Sequence, residues 1–459
     1  MLGLGWLQTA KSAVKPAAIL SLLVASVVGS QGPVLAPGLE VQPSGITPSA
    51  EPKSLSDLYR IRDHLQTRLS EPPPMPWMVP GAQNELSAPA TLAHLWPLTY
   101  RITQEEIAQR RWAWATQSAA SASALGNPAT LSDASVEAAY GFWYEAVDTL
   151  SQVPPDSFVA AQAMAQQSIY RHNLAIAAYR YDTTRSDFLA SLAAQTGLAE
   201  RLRVTVCNLD RECRRWQGDR PPANPASLIK VPVAVALTAH IYQQGISPKA
   251  TLWVNPGNWT EDAGTTQVGR EYTLEQIMTD MISASGNVAT NQLIDYLGWA
   301  GVNQRLRDLG YTATRVSTKL VGESTYPVNP GLVANLTTTD ELTDMMVGIY
   351  NQEHPGDALI QLALKQQVDR ALGHAAVKPP ILWLGEKTGR NSKVLGSTTA
   401  VNVSGNTYII TATLDYSANE AVLRTLIDGV IRHLLTHQGF EDDLDGDDLL
   451  ATRPRSFLP

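Results

Sequence analysis

The stretch Tyr408 to Leu414 is built mostly from β-branched and aromatic residues, which crowd a helix but fit the pleated surface of a strand. A second short strand, Val401 to Val403, precedes it, and two more are expected some 200 residues earlier, near Arg203 to Cys207 and Cys213 to Gln217. A helix at Phe188 to Thr196 precedes the early strands. An amphipathic helix at Asn419 to His437 follows the late ones, with Val422, Leu423, Leu426, Ile427, Val430, Ile431 and Leu434 on one face. Everything between is helix-rich. Strands at both ends that bracket a helical insertion predict an α+β domain over about residues 183–440, with an antiparallel β-sheet flanked by helices and an all-α lobe.

The chain has 459 residues, too many for one core to keep growing, so further parts are expected. Lys11 and Lys15 precede the apolar run Ala17 to Val28 and the small residues Gly29 and Ser30, a signal-peptide layout over residues 1–30. The run is shorter than the roughly 18 residues needed to span a bilayer, which favours cleavage over a permanent anchor. The expected location is therefore periplasmic or secreted, with membrane attachment only if the segment stays uncleaved. No cysteine follows it to carry a lipid.

Residues 31–100 are rich in Pro, Ser and Gly and predict an extended spacer, interrupted by one helix at Leu55 to Leu69. Three helices are expected in the segment 101–182, at about 103–124, 132–152 and 156–181. Tyr140, Trp143, Tyr144, Leu150, Ala161, Ala165 and Tyr170 there faintly resemble a tetratricopeptide hairpin. One such unit cannot bury its own core, so these helices must pack on each other, on the main domain or on an envelope partner. The acidic end, 441–459, predicts a solvated tail, since its glycine is misplaced for a calcium loop.

A net charge of −8 and no basic run interleaved with aromatics argue against nucleic acid. Cys207 and Cys213 are the only cysteines, too few for a zinc ribbon or iron–sulfur cluster. They flank a polar turn, so either a cross-hairpin disulfide or two buried thiols fits. No H-E-x-x-H, G-x-S-x-G or phosphate loop occurs, and no metal or cofactor is expected.

Three short motifs appear in order: Ser227-Leu228-Ile229-Lys230, Ser285-Gly286-Asn287 and Lys387-Thr388-Gly389. Ser227 opens an apolar run, at a helix N-terminus where partial positive charge favours a developing oxyanion, and Lys230 lies one turn on along the same face. A serine needs a base to attack, and a lysine serves only when desolvation or a cationic neighbour lowers its pKa. Together the motifs and their spacing resemble the class A β-lactamase and penicillin-binding group. The resemblance implies that Ser227 is the nucleophile, that Ser285 relays a proton to the leaving nitrogen, and that Asn287 orients Lys230 or the substrate amide. Lys387 would tune Lys230 or, with Thr388 and Gly389, hold a substrate carboxylate, and backbone N–H groups of Ser227 and Arg390 would form an oxyanion hole.

The resemblance also implies a glutamate that activates the water for acyl release, and ungapped alignment of the threonine-rich stretch Leu336 to Asp340 puts Glu323 there. Three features depart from the family's pattern. Pro327 stands where it usually has an asparagine, with Asn329 as a substitute. Gly286 stands where most class A enzymes have aspartate, as is common in D-alanyl-D-alanine carboxypeptidases. Arg390, which follows the third motif, would narrow the cleft or bind an anionic substrate. Three functions follow: a β-lactamase, a D-alanyl-D-alanine peptidase acting on peptidoglycan peptide, or a non-catalytic envelope binding protein with a relic pocket.

Overall fold

The computed structural model describes residues 51–70, 88–261 and 263–440; the expected signal segment, most of the Pro-rich spacer and the acidic tail lie outside them. The chain begins with α1 (Leu55–Ser70), α2 (Ala88–Leu125), α3 (Asp133–Ser151) and α4 (Ala160–Thr184). Two boundaries differ from expectation. Helix α2 starts within the expected spacer and runs through Pro97, and α1 is packed rather than tethered. Leu58 of α1 is 2% exposed, and the Tyr59 hydroxyl donates to Glu106 of α2 at 2.6 Å. The stretch around Pro97 is largely exposed; the packing against α1 falls further along α2.

Alanines of α2 (Ala115, Ala119, Ala122) leave room for Tyr140 and Trp143 of α3 and Tyr170 and Tyr181 of α4, and the Tyr140 and Tyr181 rings stack at 5.0 Å. The helices therefore pack on one another, as one unstacked unit must.

The main domain follows with α5 (Asp187–Gln195), β1 (Leu202–Asn208), β2 (Cys213–Trp216), α6 (Lys230–Gln243), β3 (Thr251–Trp253), β4 (Glu271–Thr273), α7 (Leu274–Ser283), α8 (Asn287–Leu297) and α9 (Trp299–Asp308). Then come α10 (Thr339–Asn351), α11 (Asp357–Lys365), the single turn α12 (Gly373–Ala376), β5 (Leu382–Arg390), β6 (Val394–Val403), β7 (Asn406–Asp415) and α13 (Glu420–Thr436). The sheet is antiparallel in the order β2-β1-β7-β6-β5, so the strands from the two ends of the domain meet at β1–β7.

Period-2 alternation splits the sheet's side chains between two cores. Val204, Val206, Ile410 and Leu414 pack with Leu423, Leu426 and Val430 of α13 on one face, whereas Ile409 and Ala400 join the helical lobe on the other. Helix α6 is the lobe's axis: every residue from Lys230 to Thr238 is buried, as its apolar circumference requires.

Cys207 and Cys213 face each other across β1 and β2 and are disulfide-bonded. Helix α4 is spliced onto this hairpin. The Asp182 carboxylate accepts from the Cys213 backbone N–H (3.2 Å) and from Arg215 (3.3 Å), and Tyr179 donates to Asp340 at 2.9 Å. Among the described residues no helix is long and apolar enough to cross a membrane.

Candidate active site

Ser227 sits in a 3-10 turn, Ala226–Ile229, that feeds directly into α6. The turn is tight: Ala226 takes φ +47°, and its N–H is held by the Asn224 side chain at 2.8 Å. Leu228 is wholly buried against Gly389 and Gly396 of the sheet, while Ser227 stays partly exposed.

The third motif lies on β5, at the sheet edge beside this turn. A Cβ on Gly389 would come within 2.8 Å of the Leu228 side chain and 2.9 Å of its backbone nitrogen. Only glycine lets the strand approach the serine turn so closely.

Lys230 is fully buried and reaches the second motif. Its Nζ donates to the Ser285 carbonyl (2.5 Å), the Ser285 hydroxyl (3.1 Å) and Asn287 Oδ1 (2.9 Å). Ser285 can offer both oxygens because it holds φ +63°, a left-handed conformation that costs a non-glycine residue about 1–2 kcal/mol.

Its neighbour Gly286 has a local cause. A Cβ there would fall 2.5 Å from an Asp280 oxygen, and Asp280 is committed to the N–H and hydroxyl groups of Thr265 and Thr266. An aspartate at 286 has no room beside it.

Lys387 approaches from the opposite side, donating to the Ser285 hydroxyl at 3.0 Å and the Thr388 carbonyl at 2.8 Å. Burial pushes its pKa down to about 7, against the raising influence of Asp369 and Glu386. The Ser285 oxygen thus accepts from two lysines, which leaves its own proton to be donated. Behind the strand, burial pushes the Glu386 carboxyl up to about 7, although Ser397, Thr399 and the His374 backbone donate to it.

Thr388 and Arg390 meet an unforeseen partner. Both donate to Asp369 Oδ2, at 3.1 and 2.7 Å, and Arg390 also pairs with Glu420 at 2.7 Å.

Glu323 stands exposed and makes no hydrogen bond or ion pair among the described residues; Pro327 is buried and Asn329 exposed. Its loop is nevertheless well anchored. Lys319 bonds Asn258, Asp295 and the Val328 carbonyl, and the Asn291 side chain of α8 clamps both backbone groups of Leu320 at 2.7 and 2.8 Å. Ser324 and Thr325 donate instead to Glu261, which holds that carboxyl down to about 2. The residue fixed to the helix that bears Asn287 is Leu320, an apolar side chain, and the carboxylate lies three residues further on.

Hydrogen bonds thus link Lys230, Ser285, Asn287, Lys387, Thr388 and, through Asp369, Arg390; Ser227 and Gly389 lie beside them on the serine turn and β5, the Ser227 hydroxyl making no hydrogen bond among the described residues, and Glu323 stands outside the network. Asn291, Gln367, Asp369 and Glu386 were not foreseen. Asn291 lies on α8, one turn past Asn287, a spacing that gives no signal by itself.

Fold and site together define a serine hydrolase. The chain belongs to the beta-lactamase enzyme family, whose sequence profile matches residues 185–437. No curated protein matches the chain in sequence. Similar solved structures include a beta-lactamase from Sphaerobacter thermophilus (21% identity, TM-score 0.47, 55% of this chain and 96% of that one). Others are PBP-A (22%, 0.48, 55% and 97%) and a beta lactamase from Xanthomonas campestris (17%, 0.48, 54% and 98%).

Proposed function

We propose that this enzyme is a penicillin-binding type serine acyl hydrolase of the cell envelope, in which Ser227 attacks the carbonyl of a strained lactam or a peptidoglycan peptide amide. Lys230, acting as the neutral amine, takes the Ser227 proton and passes it to Ser285, which gives its own proton to the leaving nitrogen, while backbone N–H groups of Ser227 and Arg390 receive the oxyanion. The observation that carries this reading is the Ser285 hydroxyl held between Lys230 and Lys387 at 3.1 and 3.0 Å. It supports acylation. The exposed Glu323 supports slow release of the acyl group, since a general base must stand within reach of the attacking water.

A second reading, efficient β-lactam hydrolysis with Glu323 as base, is favoured by the clamp of Asn291 on Leu320, which fixes the Glu323 loop beside the site wall.

Intact mass of the full chain mixed with a penicillin, followed in time together with the β-lactam absorbance, separates the two. A stoichiometric adduct that persists in wild type and vanishes in Ser227→Ala is the expected result. Steady turnover that Glu323→Gln slows by about 10²- to 10⁴-fold establishes the second reading instead. Absence of any adduct or turnover with β-lactam and peptide alike refutes the nucleophile assignment.

A further inference from the structure

The end of the cleft formed by the third motif carries its own carboxylate. Asp369 Oδ2 accepts from the Thr388 hydroxyl at 3.1 Å and from the Arg390 guanidinium at 2.7 Å. The other oxygen accepts the Ala371 backbone N–H at 3.2 Å, so the group is fixed by its own chain as well. Gln367 is buried and donates to the Thr388 hydroxyl at 3.2 Å, which sets the direction of that hydroxyl's proton toward Asp369. The far side of the Arg390 guanidinium is taken by Glu420, which Arg424 also holds at 3.0 Å.

A hydroxyl and a guanidinium side by side are the donors that a carboxylate-bearing acyl donor would seek. Here both are engaged by one internal carboxylate oxygen. A second carboxylate in the same place would face Asp369 at hydrogen-bond range, and like charges so close repel strongly where solvent is partly excluded.

We propose that Asp369 is a specificity-determining residue which fills the anion-binding end of the cleft, so that the acyl donor this site takes presents an uncharged or cationic group there. The matching substrate class is an amide whose leaving side is amidated or continues as peptide, in preference to one ending in a free carboxylate beside the scissile bond. The assignment rests on the reading of Ser227 as nucleophile only for its kinetic consequence; the occupancy of the subsite concerns binding as well.

Benzylpenicillin and its methyl ester form the test pair, since they differ in the charge of that one group. Two quantities are read on the full chain: the second-order rate of adduct formation on wild-type Ser227 by intact mass, and equilibrium binding of the pair to Ser227→Ala by calorimetry. Wild type is expected to favour the ester by about tenfold or more, the size of a partly screened like-charge contact. Asp369→Asn, which keeps shape and an acceptor, should shift the ester-to-acid ratio toward the acid by a similar factor, and Asp369→Glu should restore the preference for the ester.

A wild-type preference for the acid, equal behaviour of the two, or a ratio that Asp369→Asn leaves unchanged overturns the inference. An ester preference in binding to Ser227→Ala without any adduct on wild type supports the inference while refuting Ser227 as nucleophile. The two ideas therefore fail separately.

Discussion

The ammonium of Lys230 holds Ser285 by two of its oxygens, the backbone carbonyl at 2.5 Å and the hydroxyl at 3.1 Å. A single lysine thereby fixes both the position of a loop and the direction of a hydroxyl. Ser285 makes both contacts from a left-handed backbone conformation, φ +63°.

Replacing Ser285 by glycine separates these two duties. Glycine relieves the left-handed strain, worth about 1–2 kcal/mol, and adds a similar entropy cost in the unfolded chain, about 0.5–1 kcal/mol. Thermal unfolding of Ser285→Gly should shift down only modestly, because two buried lysines each lose one acceptor, worth about 1–3 kcal/mol. Acylation should fall by about 10²- to 10⁴-fold, because the proton donor is gone. A large drop in melting temperature would show that the hydroxyl is structural instead.

Gly389→Ala tests the approach of β5 to the serine turn. The added methyl group must displace Leu228, which is wholly buried, and overpacking of this kind costs about 1–3 kcal/mol. Both stability in urea and the rate of adduct formation should drop, the latter because the Arg390 N–H moves away from Ser227.

Glu386 makes stability depend on pH. Its folded pKa, raised to about 7 from an ordinary 4.5, means that the unfolded chain loses this proton at lower pH than the native one. Stability from this group is therefore intact below about pH 4.5 and declines as pH rises to 7, by a cost on the order of 3 kcal/mol. Glu386→Gln should leave the melting temperature nearly unchanged at pH 4.5 and raise it at pH 8. Lys387 acts with the opposite slope above pH 7, because its lowered pKa makes the native state shed a proton first. The difference between wild type and Glu386→Gln isolates the carboxyl.

The Leu320 clamp makes a fourth prediction. Asn291→Ala leaves the half-buried N–H and carbonyl of Leu320 without their side-chain partners, so the variant should lose about 1–3 kcal/mol in all. Hydrogen exchange should rise across residues 319–329 well before the sheet opens.

Much of this was legible in the chain itself, for identifiable reasons. The strand at Tyr408 to Leu414 and the helix at Asn419 to His437 carry strong local periodicity, and they appear as β7 and α13 within two residues at each end. The three motifs lie on contiguous residues, so their recognition needed no knowledge of packing. Strand β5 escaped notice because Gly385, Glu386, Lys387 and Gly389 give it little strand propensity, and only pairing along β6 makes it one. Asp369 and Asn291 escaped for a related reason. They are ordinary polar residues whose importance comes from partners 19 to 29 positions away. The extent of α2 was hidden by Pro97, a breaker that lies inside the helix on a largely exposed stretch.

The splice between α4 and the β1–β2 hairpin has a further consequence. The family profile begins at residue 185, yet the charges that hold the hairpin begin earlier, at Tyr179 and Asp182. A fragment cut at Thr183 would strip Arg215 of its Asp182 carboxylate and the stacked Tyr179 ring. The unit that is inherited and the unit that folds do not share a boundary here: the helical segment supplies the last turn without which the buried arginine of the enzyme's edge strand keeps only one of its two carboxylates, that of Asp340.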